Sequence, residues 1–151
     1  FKKIYNKEVN RLKPVVFIGP YEHHSNDIMW REAIAEVMVI KPNLDGYIDL
    51  KDLENKVSDP KYKDRLKIGS FSAASNITGI KTPVYKIARI MHKYGGLVCF
   101  DYAASAPYVK INMNKDPETF FDAIFISPHK FVGGPGSSGI LVFNERIYDR
   151  T

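Results

Sequence analysis

The chain has 151 residues, of which 44% are hydrophobic and 26% charged, and this composition is typical of a folded globular domain. The formal net charge is +5, but the basic residues are scattered and interleaved with acids, as at Lys51, Lys61 and Lys63. We therefore expect no nucleic-acid partner, because such proteins concentrate their basic residues on one stripe, and no membrane partner, because no apolar run approaches the ~20 residues that span a bilayer.

The first half of the chain alternates short apolar runs with amphipathic stretches. Residues 14–19 (PVVFIG) predict a buried strand, and Ser25 or Asn26 is expected to cap a helix that extends to Val37. The other elements predicted here are a strand at 37–40, a turn at 43–46, a helix capped by Asp49 that contains Leu50, Leu53 and Val57, a surface loop at 61–65 and a strand at 66–71.

The second half continues the same alternation. Thr82 and Pro83 begin a helix that Gly95 and Gly96 end, and strands are predicted at 97–100, 123–126 and 139–143. Strands that alternate with helices predict an α/β fold with a mostly parallel sheet and helices on both faces. Since we find no interdomain linker, residues 1–151 are interpreted as a single domain, and a chain that begins with Phe1 is expected to be a segment of a longer one.

Polar residues follow four of the predicted strands. In a parallel sheet, ligands bind beyond the carboxyl ends of the strands, so these residues are the candidates for a site. They are Glu22, His23 and His24 after the first strand, residues 72–76 after the strand at 66–71, Asp101 after the next, and Ser127, His129 and Lys130 after the strand at 123–126.

Lys130 stands between an apolar strand and a glycine-rich loop. The phosphate-binding pattern GxxxxGK[ST] is absent, because the glycines follow the lysine. A desolvated lysine has a lowered pKa, and its neutral amine can form a Schiff base with an aldehyde. The alternative is an ordinary surface lysine.

The neighbouring candidates allow two interpretations each. Asp101 could pair with a protonated pyridine nitrogen or cap the segment that begins at Tyr102. Ser127 and His129 could hold a phosphate, while His23 could stack on an aromatic ring or be a structural histidine, and no cluster with metal-ligand spacing is present. Cys99 lies within a strand and is expected to be an inert core thiol; as the single cysteine, it indicates a reducing, cytoplasmic location.

Four motifs together resemble the class V aminotransferase superfamily of fold-type-I pyridoxal-phosphate enzymes, with cysteine desulfurases and selenocysteine lyases as its most similar members. The motifs are residues 22–26 (EHHSN), 75–79 (SNITG), Asp101 with the nearby Ala103, and 127–130 (SPHK). The resemblance implies that Lys130 holds pyridoxal phosphate as a Schiff base and that His23 stacks on the ring. It also implies that Asp101 pairs with the pyridine nitrogen, that Asn76 and Ala103 contact the cofactor, and that Ser127 and His129 hold its phosphate.

The resemblance further implies an enzyme that acts on a small amino acid, with Lys130 and His23 as catalytic residues, and a homodimer. It covers only the central part of the large domain of such an enzyme. The phosphate-binding turn, the carboxylate-binding arginine and the desulfurase cysteine belong to other parts of these enzymes. Ala104 stands where desulfurases have a glutamine, so a class V aminotransferase, another pyridoxal-phosphate lyase or sulfurtransferase, and a non-catalytic module that binds an anion or a partner remain alternatives.

Overall fold

The computed structural model describes Val9 and residues 12–148. A six-stranded sheet with the order β2-β1-β3-β4-β5-β6 forms its centre. Strands β1 to β5 are parallel, and β6 is antiparallel to β5, which confirms the predicted mostly parallel sheet. The strands are β1 (Val15–Ile18), β2 (Glu36–Val39), β3 (Lys67–Ser72), β4 (Leu97–Asp101), β5 (Ala123–Ile126) and β6 (Ile140–Phe143).

Helices cover both faces of this sheet, as the sequence predicts. They are α1 (His24–Glu32), α2 (Leu50–Val57) and α3 (Val84–Lys93). Phe17 of β1 packs in the larger core, which also contains buried residues of α2 and α3. Because successive side chains of a strand point to opposite faces, Val16 and Ile18 pack on the other side, against Trp30 of α1.

Helix α1 begins and ends earlier than the sequence predicts. Its N-cap is His23 rather than Ser25 or Asn26, and the helix ends at Glu32 instead of extending to Val37. Val37 is an extended residue of β2 that pairs with Val16 of β1. The apolar spacing is shared by the helix and the strand that follows, so pairing with β1, and not local periodicity, decides where the helix stops.

Elsewhere the predicted elements are shifted by a residue or two. Asp49 is the N-cap of α2 and accepts hydrogen bonds from the amides of Lys51 and Asp52, which confirms the predicted cap. The stretch predicted as a surface loop begins in a 3-10 turn, Pro60–Tyr62, whose tyrosine is fully buried against the core. None of the described helices is long and apolar enough to cross a membrane.

The buried carboxylate of Asp122, at the amino-terminal end of β5, forms hydrogen bonds with α3, β4 and the segment after β6. Its oxygens accept hydrogen bonds from His92 of α3 (3.0 Å), the Val98 amide of β4 (2.8 Å) and Arg146 after β6. Burial by itself would raise the pKa of Asp122, but these hydrogen bonds hold that pKa below its ordinary value. The end of the sheet opposite the predicted site is therefore fastened by a charge-assisted cluster.

Candidate functional site

A cavity of about 330 Å³ lies at the carboxyl ends of β3, β4 and β5, next to the N-terminus of α1. Pockets of 300 to 1,000 Å³ are typical of sites for small molecules and cofactors. The seven residues to which the resemblance assigns a role all line this one cavity: His23, Asn76, Asp101, Ala103, Ser127, His129 and Lys130. The strand-end candidates Glu22 and His24 do not line it. Ser25, Ser72, Ala74 and Ala104 line it as well.

Lys130 is held at the cavity by a tight turn directly after β5. The turn is a 3-10 helix, Pro128–Lys130, in which the Lys130 amide donates to the Ser127 carbonyl oxygen at 3.0 Å. Gly134 folds back against this turn, and a Cβ atom there would stand 2.0 Å from the Pro128 carbonyl oxygen. Only glycine permits this close approach of two backbone segments, which explains why the lysine precedes a glycine-rich loop.

The side chain of Lys130 is exposed, and so is that of His129. Within the described residues, neither side chain forms a hydrogen bond or an ion pair. The desolvation that we expected for a reactive lysine is therefore not provided by this part of the chain. Any desolvation has to come from a bound ligand or from another part of the protein.

Asp101 ends β4, the strand next to β5, and lines the same cavity as the lysine turn. Its carboxylate Oδ1 accepts a hydrogen bond from the Ala103 amide at 2.7 Å, so it caps the following turn, as one of the two interpretations had it. No other hydrogen bond to this half-buried carboxylate forms within the described residues. Oδ1 thus orients the side chain, and the other carboxylate oxygen is available for a partner in the cavity.

His23 reaches the cavity from the N-terminus of α1. Its Nδ1 accepts a hydrogen bond from the Ser25 amide at 3.2 Å and lies 2.7 Å from the Ser25 hydroxyl. Since an amide can only donate, Nδ1 is an acceptor and the proton of a neutral ring lies on Nε2. The ring also stacks on His24 with centroids 4.6 Å apart.

Asn76 lies at the exposed corner of a loop that follows β3. The Ser75 hydroxyl accepts hydrogen bonds from the amides of Ile77 and Thr78, and the Gly79 amide donates to the Ser75 carbonyl oxygen. The serine and the glycine of this motif therefore shape the turn, while the amide side chain between them faces the cavity.

Glu22 and Ser72 were among the candidates at the strand ends, but sequence reasoning assigned neither of them an individual role. Ser72 lines the cavity, and its hydroxyl and amide both donate to Glu22, at 2.6 and 2.7 Å. Burial raises the pKa of Glu22, although the hydrogen bonds from Ser72 and Asn26 act to lower it. Glu22 directly precedes His23, but nothing in the pattern EHHSN distinguishes a buried carboxylate from an exposed one.

Cys99 fits the expectation of an inert thiol. It lies in the middle of β4, and burial together with the charge of Asp122 raises its pKa to about 12. A thiol with so high a pKa is protonated near neutral pH and is a poor nucleophile. No cluster of three potential metal ligands exists within the described residues.

A family profile described as aminotransferase class-V matches residues 5–150. The chain belongs to the aminotransferase class-V family. It is 34% identical over 130 residues to a probable cysteine desulfurase of Halalkalibacterium halodurans, an alignment that covers 83% of this chain and 30% of that protein. It is 31% identical to a cysteine desulfurase of Synechococcus elongatus over 86% of this chain and 20% of that protein.

Solved structures of this family agree with the fold. The apo structure of a cysteine desulfurase from Thermococcus onnurineus superposes with a TM-score of 0.75 and 25% identity over 89% of this chain and 32% of that one. A NifS-like protein from Rickettsia africae gives a TM-score of 0.70 and 27% identity over 85% of this chain and 34% of that one. The chain therefore spans about a third or less of the length of its aminotransferase class-V relatives.

Members of the aminotransferase class-V family bind pyridoxal phosphate, and the cavity has the chemical groups that such a cofactor needs. An aldehyde requires an amine, a protonated ring nitrogen requires a carboxylate, and a phosphate requires hydroxyl or imidazole donors. Lys130, Asp101, Ser127 and His129 supply this set around one space. The residues present thus fit the cofactor that the family implies.

Proposed function

We propose that the protein containing this chain is a pyridoxal-phosphate-dependent enzyme, similar to cysteine desulfurases, that acts on a small amino acid. The observation that carries this proposal is the shared cavity: the amine of Lys130, which follows β5, and the carboxylate of Asp101, which ends β4, line one space of about 330 Å³. The two strands are parallel neighbours, so both groups emerge at the same edge of the sheet.

Lys130 would hold the cofactor by condensing its amine with the aldehyde, and the carboxylate of Asp101 would pair with the ring nitrogen. When bound, pyridoxal phosphate supplies an electron sink that stabilises negative charge on the substrate carbon beside the amino group. The negative charge of Asp101 would favour the protonated ring nitrogen, and its second oxygen accepts no hydrogen bond among the described residues, so it is available for this pairing. Lys130, once released from the cofactor by the substrate amine, would move protons at that carbon.

The remaining cavity residues would orient the cofactor. Ser127 and His129 flank the lysine turn and would donate to the phosphate group. His23 would stack on one face of the ring, while the small side chain of Ala103 leaves room on the other. Asn76 would donate its amide to the cofactor or the substrate from the loop after β3.

The family relatives also guide the proposals on substrate, assembly and location. Cysteine or selenocysteine is proposed as the substrate because the relative in Synechococcus elongatus is a cysteine desulfurase and that in Halalkalibacterium halodurans a probable one. We further propose that the intact protein is a homodimer and resides in the cytoplasm, where a single unpaired cysteine remains reduced.

A second candidate reaction is favoured by Ala104. Desulfurases resembling this chain carry a glutamine at that position, and Ala104, which lines the cavity, has no group that can donate a hydrogen bond from its side chain. An aminotransferase or another pyridoxal-phosphate lyase would use the same lysine and aspartate without that donor. The cofactor assignment is common to both candidates.

The test is spectroscopic and uses the intact protein. Adding pyridoxal phosphate should produce an absorbance band near the visible range, and Lys130→Ala should abolish it. Lys86→Ala is the matched control, because Lys86 is an exposed lysine of α3 outside the cavity. Sulfide release from cysteine would identify a desulfurase, and keto-acid formation without sulfide would identify the second candidate. A wild-type band that persists in Lys130→Ala would refute the assignment.

A further inference from the structure

The carboxylate of Glu22 forms hydrogen bonds with three separate segments near the cavity. Its Oε1 accepts a hydrogen bond from the Gly19 amide after β1 at 2.9 Å. Its Oε2 accepts from Asn26 of α1 at 2.8 Å and from the amide and hydroxyl of Ser72 in β3 at 2.7 and 2.6 Å. A carboxylate is suited to this position because every partner is a donor and an ionised carboxylate only accepts.

Ser72 of β3 connects the carboxylate of Glu22 to the cavity. Ser72 lines the cavity and is the direct register partner of Asp101 in β4. The other partner, Asn26, is itself bonded to Ser70 of β3 through two contacts, at 2.6 and 3.2 Å. Helix α1 is therefore fastened to β3 through Glu22 and Asn26.

The ring of His23 depends on this attachment. Among the described residues, its hydrogen bonds go only to Ser25, two residues away in the first turn of its own helix, and its stacking partner is the adjacent His24. None of these contacts ties the imidazole directly to β3 or β4. Its place in the cavity is consequently set by the backbone of the segment that Glu22 anchors.

Gly19 leaves the space that the carboxylate of Glu22 occupies. A Cβ atom at Gly19 would stand 2.5 Å from Oε1 of Glu22, so any other residue at this position would displace the carboxylate. The Gly19 amide holds the carboxylate from the end of β1, and Ser72 holds it from β3. With the hydrogen bond from Asn26, four hydrogen bonds define the position of this side chain.

We propose that Glu22 is a positioning residue that holds His23 at a fixed place relative to Asp101, and so sets how the ring of His23 faces the cofactor. The inference deepens the proposed function and rests on it for the cofactor, but the placement of His23 can be measured without any cofactor. Glu22 acts through Ser72 and the segment of His23, and it has no assigned contact with the reacting atoms.

The test compares Glu22→Gln with wild type in the intact protein. Both carboxylate oxygens of Glu22 accept hydrogen bonds, and glutamine would replace one of them with an NH₂ group that cannot accept. At least one of these hydrogen bonds is therefore lost. We expect the NMR signals of the His23 ring to shift in the cofactor-free protein, and the affinity for pyridoxal phosphate to fall about tenfold. We also expect the circular dichroism of the bound cofactor to decrease, which a purely structural loss of stability would not cause in the folded fraction.

Glu32→Gln is the matched control, because it makes the same chemical change at an exposed position of α1. If Glu22→Gln fails to fold, Ser72→Ala removes one donor from the same carboxylate and should shift the His23 signals in the same direction. Unchanged His23 signals in every folded variant would overturn the positioning role. A shift of these signals in a protein whose wild type binds no pyridoxal phosphate would instead refute the proposed function and support the positioning role.

Discussion

The carboxylate of Asp122 is completely buried and is held by donors from three elements, including His92 and Arg146. Its pKa in the folded protein lies below the ordinary value of 3.8, so the folded state binds the proton less tightly than the unfolded chain. The stabilisation is therefore fully present above pH 3.8 and is lost as the pH falls through the lowered pKa.

We expect Asp122→Asn to lower the free energy of unfolding by about 3 kcal/mol at pH 7, because Arg146 and the Val98 amide lose a charged partner. The difference from wild type should shrink as the pH falls through the lowered pKa of the folded protein, where the wild-type carboxylate itself becomes protonated. Urea unfolding at several pH values measures it. Asp64→Asn, at an exposed position, is the control, and a difference independent of pH would contradict the account.

For single residues, the sequence indicates which side chains belong to the site but not which atoms they contact. Lys130 and Asp101 could be found because each follows an apolar strand, and strand ends meet at one edge of a parallel sheet. The exposure of the Lys130 side chain could not be predicted, because it depends on which other groups pack over the cavity. Glu22 was a candidate only by its place after the first strand, and its buried position could not be predicted, because its contacts with Gly19 and Ser72 are not marked by any sequence spacing.

At the scale of an element, the turn Pro128–Lys130 places the lysine by close backbone contact. Gly134→Ala would put a methyl group 2.0 Å from the Pro128 carbonyl oxygen, so the turn has to move. We expect the cofactor band to be reduced and the free energy of unfolding to fall by about 2 kcal/mol. Absorbance titration and urea unfolding measure the two effects.

Gly136→Ala is the control that separates the steric clash at Gly134 from the general effect of backbone strain in the loop. Gly136 has a φ of 86°, but a Cβ atom added there would meet no other atom within 4 Å. Alanine at this position therefore costs about 1 kcal/mol of strain without displacing the lysine turn. Its cofactor band should remain near the wild-type level. Equal losses of the band in both variants would show that flexibility of the loop, and not the contact at Pro128, controls Lys130.

The elements themselves were predictable where local signals and tertiary pairing agree. Asp49 caps α2 as expected, because an Asp side chain accepts hydrogen bonds from the free amides of the first helical turn. Helix α1 was predicted too long because residues up to Val37 continue an apolar pattern, while pairing with β1 imposes an extended backbone. The antiparallel direction of β6 had no local signal, because its apolar residues fit either direction.

At the scale of the whole molecule, β6 is an apolar strand at the edge of the sheet. Ile140, Leu141, Val142 and Phe143 are all exposed, although strands of this composition are normally buried. Such an edge combines free backbone groups with an apolar surface, which favours pairing with another chain. The alignment covers only 30% of the relative in Halalkalibacterium halodurans, and we infer that further parts of a longer protein cover this edge.

We expect the 151-residue chain on its own to self-associate with rising concentration, and Leu141→Lys to reduce that association. Sedimentation velocity measures the mean mass. Leu44→Lys is the control, because Leu44 is fully exposed in a turn outside the sheet and the change in charge is the same. Association that is reduced equally by both substitutions would show that net charge, and not the β6 edge, governs it.

The central claim is that one amine, on Lys130, carries the cofactor. The most direct measurement is reduction of the intact protein with borohydride after addition of pyridoxal phosphate, followed by digestion and mass spectrometry of the peptides. We expect a phosphopyridoxyl group on Lys130 as the dominant product. Modification spread over the exposed lysines, with residue 130 no more labelled than Lys86, would contradict it.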